Sequence, residues 1–349
     1  MPRRGARNAL TKTQKRKKEH LEICLDTESV TSSSGTGLSR YRFVHNALPE
    51  LDIDEIDLST VFLGKRLKAP ILISSMTGGF DLARKVNRNL AAAAQALGLA
   101  MGVGSQRVAI EEPSAAASFQ VRDVAPDILL FGNLGAVQLN YGYTVEHCRR
   151  AVSMIGADAL ILHLNVLQEA VQPEGNRNFK GLEQKIAAVC RDLEVPVIAK
   201  EVGNGISADA ARRLERAGVR AIDVAGRGGT SWSAVEAQRA VKQGSRPDRA
   251  FADWGIPTEE ALVSVRQALP EISLIASGGI RTGVDMAKSI ALGADLAAFG
   301  QPLLAAALES SAQVIEFIAG VIHELKVSML CVGAANLAAL RRAPLVHQS

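Results

Sequence analysis

The sequence is poor in aromatic residues, closely spaced cysteines and long apolar runs. Phe, Trp and Tyr make up only 4% of the 349 residues, which disfavours a surface that binds nucleic acid by base stacking. Its cysteines form no C-x-x-C pair, so a zinc site or disulfide framework is not expected. No uninterrupted apolar run reaches the roughly 18 residues of a membrane helix. We therefore expect a cytoplasmic protein without nucleic-acid or membrane partners. The cysteines are Cys24, Cys148, Cys190 and Cys331.

The charge is distributed unevenly along the chain. Residues 1–20 carry a local charge of +7, whereas the whole chain carries +4, which leaves −3 for the rest. This basic start is not followed by the apolar segment of a signal peptide. With 47% hydrophobic and 22% charged residues, the remainder has the composition of an ordinary globular protein with a large core.

The organisation changes after residue 60. A charged, helix-prone arm (11–25) precedes a Ser/Gly/Thr stretch at 31–37 that is typical of a flexible loop. Short apolar runs then alternate with Ala-rich amphipathic segments, a pattern that predicts parallel βαβ units. The runs are PILISS (70–75), LAMGVGS (99–105), DILLFGN (127–133), ALILHLN (159–165), PVIAKEV (196–202), AIDVAG (221–226), SLIASGG (273–279) and LAAFG (296–300). Predicted helices lie at 81–97, 144–155, 181–193, 207–217, 283–292 and 310–326.

Eight such units predict a single α/β domain, a closed (β/α)8 TIM barrel with an N-terminal basic arm. A doubly wound open sheet is the alternative. The expected division is an arm and lead-in at 1–60, the barrel at 61–330 and a C-terminal tail at 331–349. Polar residues cluster where the runs end, which in a barrel is the rim that carries active sites. Any single glycine there could equally be an ordinary turn residue.

The segment 273–295 predicts a phosphate-binding site. A Gly-Gly turn lets backbone N–H groups approach an anion, and a helix that opens near Gly283 adds a favourable dipole. Gly300 and Gln301 after the eighth run form a second half of the cradle, and Arg281 can neutralise charge. GRGGTS (226–231) offers a third contact. A purely structural turn is the alternative, and the pattern does not tell cofactor phosphate from substrate phosphate.

The fourth run predicts a polar cluster. Strand alternation places Ile161, His163 and Asn165 on the inner face, and Gln168 and Glu169 follow in the loop. Amide and imidazole groups suit phosphate oxygens, and one carboxylate together with diphosphate and waters is a usual magnesium site. The alternative for His163 is a hydrogen-bonded core histidine.

Two further runs carry cations. Alternation in the second run predicts a shared face for Met101, Val103, Ser105 and Arg107, with the guanidinium as an anion clamp. In the fifth run Lys200 sits among apolar residues, so we expect it to meet Glu201, another acid or an electron-rich cofactor.

Taken together and in order, these motifs resemble the type 2 isopentenyl-diphosphate isomerases over roughly residues 14–330. The motifs are RKKEH (16–20), SSMTGG (74–79), GVGSQR (102–107), FGNLG (131–135), HLNVLQE (163–169), KEVGNGIS (200–207), GRGGTSW (226–232) and SGGIRTG (277–283). The resemblance implies an FMN-binding barrel that uses Mg²⁺, a flavin kept reduced by NADPH, and a homo-oligomer, either tetramer or octamer.

The resemblance also implies residue roles. The flavin is lined by Ser75, Met76, Thr77, Ser105, Asn133, Lys200 and Thr230. The FMN phosphate is surrounded by Gly279, Arg281, Gly300 and Gln301. The small-molecule diphosphate substrate is held by Arg16, Lys17, Ser105, Gln106, Arg107, His163, Asn165 and Gln168. Glu169 is the magnesium ligand, and Gln168 and His163 are the candidate catalytic residues.

The implied reaction interconverts isopentenyl and dimethylallyl diphosphate, with reduced FMN as an acid/base and Lys200 tuning its electronics. The arm then acts as a lid over the substrate rather than as a solvated tail, while Lys12, Lys15 and Lys18 stay in solvent. An FMN-dependent 2-hydroxy-acid dehydrogenase or oxidase is the alternative. GRGGTSW lacks the histidine that such enzymes place beside the glycines.

Overall fold

The structure is a computed structural model that describes residues 11–26, 30–242, 244, 246 and 250–348. In this part of the chain the strands are β1 Tyr41–Phe43, β2 Thr60–Phe62, β3 Lys65–Leu67, β4 Ile71–Ile73, β5 Ala100–Gly102, β6 Leu129–Gly135, β7 Ala159–His163, β8 Val197–Lys200, β9 Ala221–Asp223, β10 Ser273–Ala276, β11 Leu296–Phe299 and β12 Leu345–His347.

The helices alternate with these strands. They are α1 Lys12–Leu25, α2 Asp81–Leu97, α3 Arg107–Glu111, α4 Val145–Ile155, α5 Val166–Val171, α6 Leu182–Asp192, α7 Ala208–Arg216, α8 Trp232–Lys242, α9 Thr258–Ala268, α10 Gly283–Ala291, α11 Leu304–Glu309, α12 Ser311–Val332 and α13 Leu337–Leu340. Short 3-10 helices lie at Leu38–Arg40, Ile53–Glu55, Pro113–Ser118, Ala136–Asn140 and Gln301–Leu303. Each of the six predicted helices is present within a few residues of its expected ends, except α12, which runs six residues further.

Strands β4 to β11 form a closed parallel barrel in sequence order, and the pairing of β11 with β4 completes it. Each predicted apolar run overlaps one barrel strand. The predicted (β/α)8 barrel is therefore confirmed, and the open-sheet alternative is wrong.

Alternation along the strands sorts side chains into two cores. Phe131, Ile161 and Ile198 fill the barrel interior. The β2–β3 hairpin closes its N-terminal end, because Phe62 and Leu67 belong to the same interior cluster. The second core lies between the barrel and its helices.

The prediction that Met101, Val103, Ser105 and Arg107 share one face was wrong. Met101 and Val103 pack in the outer core, whereas Ser105 and Arg107 line the rim cavity. The reason is that β5 ends at Gly102 and α3 begins at Arg107, so a single strand alternation does not span these four residues.

Two arginine clamps stabilise the N-terminal end of the barrel. Arg122 donates to the carbonyls of residues 125, 126, 128 and 156 and to Asp158. Arg266 repeats the pattern with the carbonyls of residues 269, 270, 272 and 293 and with Asp295. The first clamp joins β6 to β7 and the second joins β10 to β11. Asp158, just before β7, also accepts the N–H of Leu130 in β6, and Asp295, just before β11, accepts that of Leu274 in β10.

The two ends of the chain meet outside the barrel. β1 pairs antiparallel with β12, so the lead-in and the tail form one small sheet. Helix α12 continues through residue 332, and no break marks the predicted boundary at 330. Among the described residues, no helix has both the length and the apolar character that crossing a membrane requires.

Candidate active site at the barrel rim

The barrel opens at its C-terminal end into a cavity of about 290 Å³, lined by loops that follow all eight barrel strands and by helix α1. Pockets of this placement are the usual active sites of the fold. The structure gathers the predicted site residues around it: Arg16, Lys17, Ser75, Met76, Thr77, Ser105, Arg107, Asn133, His163, Asn165, Gln168, Glu169, Lys200, Thr230, Gly279, Arg281, Gly300 and Gln301.

Gln106 is the exception. Its side chain is fully buried, accepts from the N–H of Asn133 at 2.9 Å and donates to the carbonyl of Ala151 at 2.8 Å. A ligand in the cavity therefore has no access to it, and its prediction as a substrate contact is corrected. Gln106 instead orders the backbone from which the Asn133 side chain reaches the cavity.

His163 ends β7 and hydrogen-bonds through Nδ1 to the Asn133 Oδ1 atom at 2.8 Å. Burial, together with the nearby charges of Lys200 and Lys17, lowers the pKa of His163 to about 4. The ring is therefore neutral at pH 7, and its orientation is set by Asn133. Its Nε2 atom remains for a ligand.

The acid of this loop is held in place by its neighbours. Asn165 Nδ2 donates to Gln168 Oε1 at 3.1 Å and to Glu169 Oε1 at 3.0 Å. The second oxygen of Glu169 accepts from the Asn176 backbone N–H. Since a carboxylate offers about four lone-pair sites, it still has room for a cation.

The donor set at this point fits Mg²⁺. Among described residues Glu169 is the sole acid that lines the cavity, and no group of three His, Cys, Asp or Glu side chains is present there. The Asn165 Oδ1 atom is buried without a hydrogen-bond partner. A hard cation with few protein ligands, completed by substrate oxygens and waters, matches this chemistry.

Lys200 meets an acid, as expected, but the acid is Asp223, which the sequence reasoning did not name. Its Nζ lies 2.8 Å from Asp223 Oδ2 and 3.3 Å from Ser277 Oγ. Glu201, the expected alternative, instead accepts the N–H groups of residues 202, 203 and 204. The available signal for Asp223 was an acid within the apolar run AIDVAG, which a buried strand tolerates only when the charge is paired.

The predicted phosphate cradle is built by two glycine loops in close contact. Gly278 and Gly279 have φ of +101° and +82°, and a Cβ on Gly279 would lie 2.3 Å from the Gly228 carbonyl oxygen. Within the described chain, the N–H groups of Gly279 and Gly300 donate to no protein acceptor. Free N–H groups beside glycines suit an anion such as a phosphate.

Helix α10, which follows this turn, contributes less to the phosphate site than expected. The N–H groups of Arg281 and Thr282 donate to the Asp285 carboxylate, and that of Gly283 donates to Glu324. These carboxylates occupy the start of α10, so the prediction that its N-terminus serves the phosphate is corrected. Arg281 is exposed at the cavity edge, near Thr31.

Helix α1 covers the cavity. Lys17 Nζ donates to the Ser105 carbonyl oxygen at 2.7 Å and lies 5.2 Å from the Phe119 ring centre. Burial and the adjacent Arg16 lower the pKa of Lys17 to about 7. Lys15 and Lys18 are exposed, as expected, and the side chain of Lys12 lies outside the described part of the structure.

An ion-pair network fastens α1 to α8 and to the loop after α5. Arg239 contacts Glu19, Glu174 and Glu236 at 2.8–3.1 Å, and His20 Nε2 lies 2.9 Å from Glu236. Sequence reasoning missed Arg239 and Glu236 because a helical Arg/Glu pair is ordinarily a solvated surface feature.

The surroundings of the cavity fit FMN. The Ser75 Oγ atom is buried without a hydrogen-bond partner. It lines the same cavity as the Lys200 ammonium and the glycine cradle. An aromatic ring with polar edges and a phosphate would satisfy these groups together.

Sequence comparison places the chain among flavoenzymes. The profile of the FMN-dependent dehydrogenase family matches residues 9–131 and 141–347. An isopentenyl-diphosphate delta-isomerase of Nostoc sp. is 54% identical over 330 residues, which is 94% of each chain. The enzyme of that name from Stutzerimonas stutzeri is 54% identical over 336 residues, 96% of this chain and 97% of that one.

Solved structures share the fold at low identity. Mandelate oxidase with (S)-2-phenylpropionate superposes with a TM-score of 0.67 at 20% identity, covering 95% of this chain and 94% of that one. A lactate oxidase of Pediococcus acidilactici superposes with a TM-score of 0.62 at 17% identity, covering 95% of this chain and 94% of that one. The high identity, in contrast, is to the isomerases. The chain therefore belongs to the isopentenyl-diphosphate delta-isomerase family, within the FMN-dependent dehydrogenases.

Proposed function

We propose that this enzyme interconverts isopentenyl and dimethylallyl diphosphate with reduced FMN and Mg²⁺. The observation that carries the proposal is the division of one cavity into two regions. Arg16 and Lys17 lie close to Arg107, and Arg107 and Glu169 both bond Asn176. Lys200 instead bonds Ser277, the residue next to the glycine cradle. A diphosphate with magnesium suits the first region, and FMN suits the second.

Bound FMN in its reduced form supplies an electron-rich ring that exchanges protons without net redox change. The protein's part is to hold it. The Lys200 ammonium would donate hydrogen bonds to the polar edge of the ring, and the free N–H groups of Gly279 and Gly300 suit its phosphate.

The cationic groups would hold the diphosphate, which lies remote from the reacting carbons. Binding energy gained there can fix the alkene in position and exclude water. Exclusion matters because the protonated alkene has the character of a tertiary carbocation that water would trap. Helix α1 is placed to exclude water, since Lys17 reaches the opposite rim at Ser105.

We assign Gln168 and His163 to the reacting end of the substrate, where they would orient the alkene or relay the second proton. Both line the cavity. His163 is the stronger candidate for proton transfer, because an amide is a poor base. Glu169 and the oxygen of Asn165 would bind magnesium.

Further elements of the proposal follow from the family. NADPH would keep the flavin reduced, and the chain would form a homo-oligomer, a tetramer or an octamer. The substrate is a small molecule, with no nucleic-acid or membrane partner. The four cysteines are unpaired, which fits the reducing cytoplasm that we propose as its location.

The deciding experiment is an anaerobic isomerase assay on purified protein, with and without reduced FMN and Mg²⁺. Isomerisation that requires both supports the proposal. Bleaching of the bound oxidised flavin by a 2-hydroxy acid, without isomerisation, would instead identify a 2-hydroxy-acid dehydrogenase or oxidase.

A further inference from the structure

Three neighbouring strands bring a lysine, an aspartate and a serine together at the bottom of the cavity. Lys200 ends β8 and is the register partner of Asp223 at the end of β9, while Ser277 directly follows β10. The barrel's own register therefore creates the cluster. The Ser277 hydroxyl donates to Asp223 Oδ1, and Lys200 lies 2.8 Å from Oδ2.

The members differ in their access to a ligand. Lys200 and Ser277 line the cavity, whereas Asp223 is fully buried behind them. Asp223 Oδ1 also accepts the N–H of Ala225 at 3.2 Å, a residue with φ of +36°. Asp223 cannot touch a ligand directly. It can therefore affect a bound cofactor only by positioning Lys200 or through the electric field of its own carboxylate.

We propose that Asp223 is a positioning residue that fixes the Lys200 ammonium and, through its own negative charge, limits how strongly the site favours reduced FMN. The inference rests on the FMN binding proposed above. In a poorly hydrated site, a charge acts on its neighbours with little screening. Paired with Asp223, Lys200 contributes almost no net charge. Without the carboxylate, the site carries a full positive charge beside the cofactor.

The test is a redox titration of FMN bound to the full-length protein and to three variants. Asp223→Asn should shift the midpoint potential to more positive values. The equilibrium ratio of reduced to oxidised FMN at a given potential should rise at least about tenfold relative to wild type, roughly 30 mV for a two-electron couple. Lys200→Met should shift it to more negative values. The double variant should return close to the wild-type potential, because the net charge is again near zero.

Ser277→Ala is the matched control. It removes the hydroxyl bonds to the same pair without changing charge, so its shift should be less than a third of that of Asp223→Asn. If Asp223→Asn fails to fold, the double variant compared with Lys200→Met isolates the same charge and should again show a positive shift.

Two failures are distinguishable. An unchanged or more negative potential on loss of the Asp223 charge overturns the inference and leaves FMN binding intact. Wild-type protein that binds no FMN overturns the proposed function itself, and the inference with it.

Discussion

The Lys17 ammonium donates to the Ser105 carbonyl oxygen at 2.7 Å, which joins a helix from the start of the chain to the loop after β5. This contact places a cation from the arm above the barrel's rim. Because Leu21 and Ile23 are also buried, α1 is packed as part of the fold, with its cationic side toward the cavity.

Deletion of residues 1–18 should raise the KM for the diphosphate substrate or stop turnover without unfolding the barrel. The buried apolar residues of α1, Leu21 and Ile23, follow the deletion, whereas Arg16 and Lys17 are removed. Steady-state kinetics together with a thermal melt would measure this. Replacing the exposed Lys15 and Lys18 by alanine is the matched control and should change neither. A truncated enzyme with normal kinetics would refute the lid.

The pH dependence should report Lys17. With its pKa lowered to about 7, the free enzyme loses this positive charge as the pH rises through 7. We therefore expect kcat/KM, which reflects the free enzyme, to fall on the alkaline side of 7. Lys17→Arg retains its charge and should move the fall to higher pH. An identical profile in the variant would show that another group titrates.

Glu169→Gln should abolish magnesium-dependent activity while FMN stays bound. The amide presents one oxygen where the carboxylate presented two, and its NH₂ group would face a donor, either Asn165 Nδ2 or the Asn176 N–H. Isomerase assays over a Mg²⁺ series, with the flavin absorbance of the same samples, would measure both effects. Glu146→Gln on the exposed face of α4 is the control. Undiminished activity would remove Glu169 as the ligand.

Gly279→Ala should greatly reduce FMN content. Its Cβ would lie 2.3 Å from the Gly228 carbonyl oxygen, which forces the two cradle loops apart. Gly142→Ala is matched, because its φ is +89° and nothing lies within 4 Å of its Cβ. The Gly142→Ala variant should lose about 1–2 kcal/mol of stability and still bind FMN normally. Flavin absorbance after desalting distinguishes them, and equal FMN contents would contradict the cradle.

Arg266→Leu should lower the free energy of unfolding by about 2–4 kcal/mol, because several backbone carbonyls lose their side-chain donor and Asp295 loses one of its donors. Denaturant unfolding would measure it. Activity per folded molecule should be unchanged, since the clamp lies at the end of the barrel opposite the site. The exposed Arg191→Leu is the control, with no measurable change expected. If Arg266→Leu unfolds at the wild-type denaturant midpoint, the clamp contributes nothing to the stability of the fold.

The sequence predicted the elements well because apolar runs and amphipathic segments alternate with little ambiguity. Every predicted site residue except Gln106 lines the cavity. Most of them directly follow an apolar run, and the end of a run marks the barrel rim. It failed at Gln106, where a role implied by the resemblance did not hold, and at α10, where a local rule was extended too far. Gln106 follows a strand end, yet its side chain turns inward to bind backbone. The N–H groups at the start of α10 are taken by carboxylates, one of them 41 residues away at Glu324.

By itself the sequence determined the strand count, the rim loops and the types of chemical group available there, because these depend on local periodicity. Only the tertiary structure decided which groups neutralise one another. Asp223 pairs with Lys200, and Arg239 gathers three acids beside the arm. Such pairings depend on barrel closure and helix packing, which bring together residues that are distant along the chain.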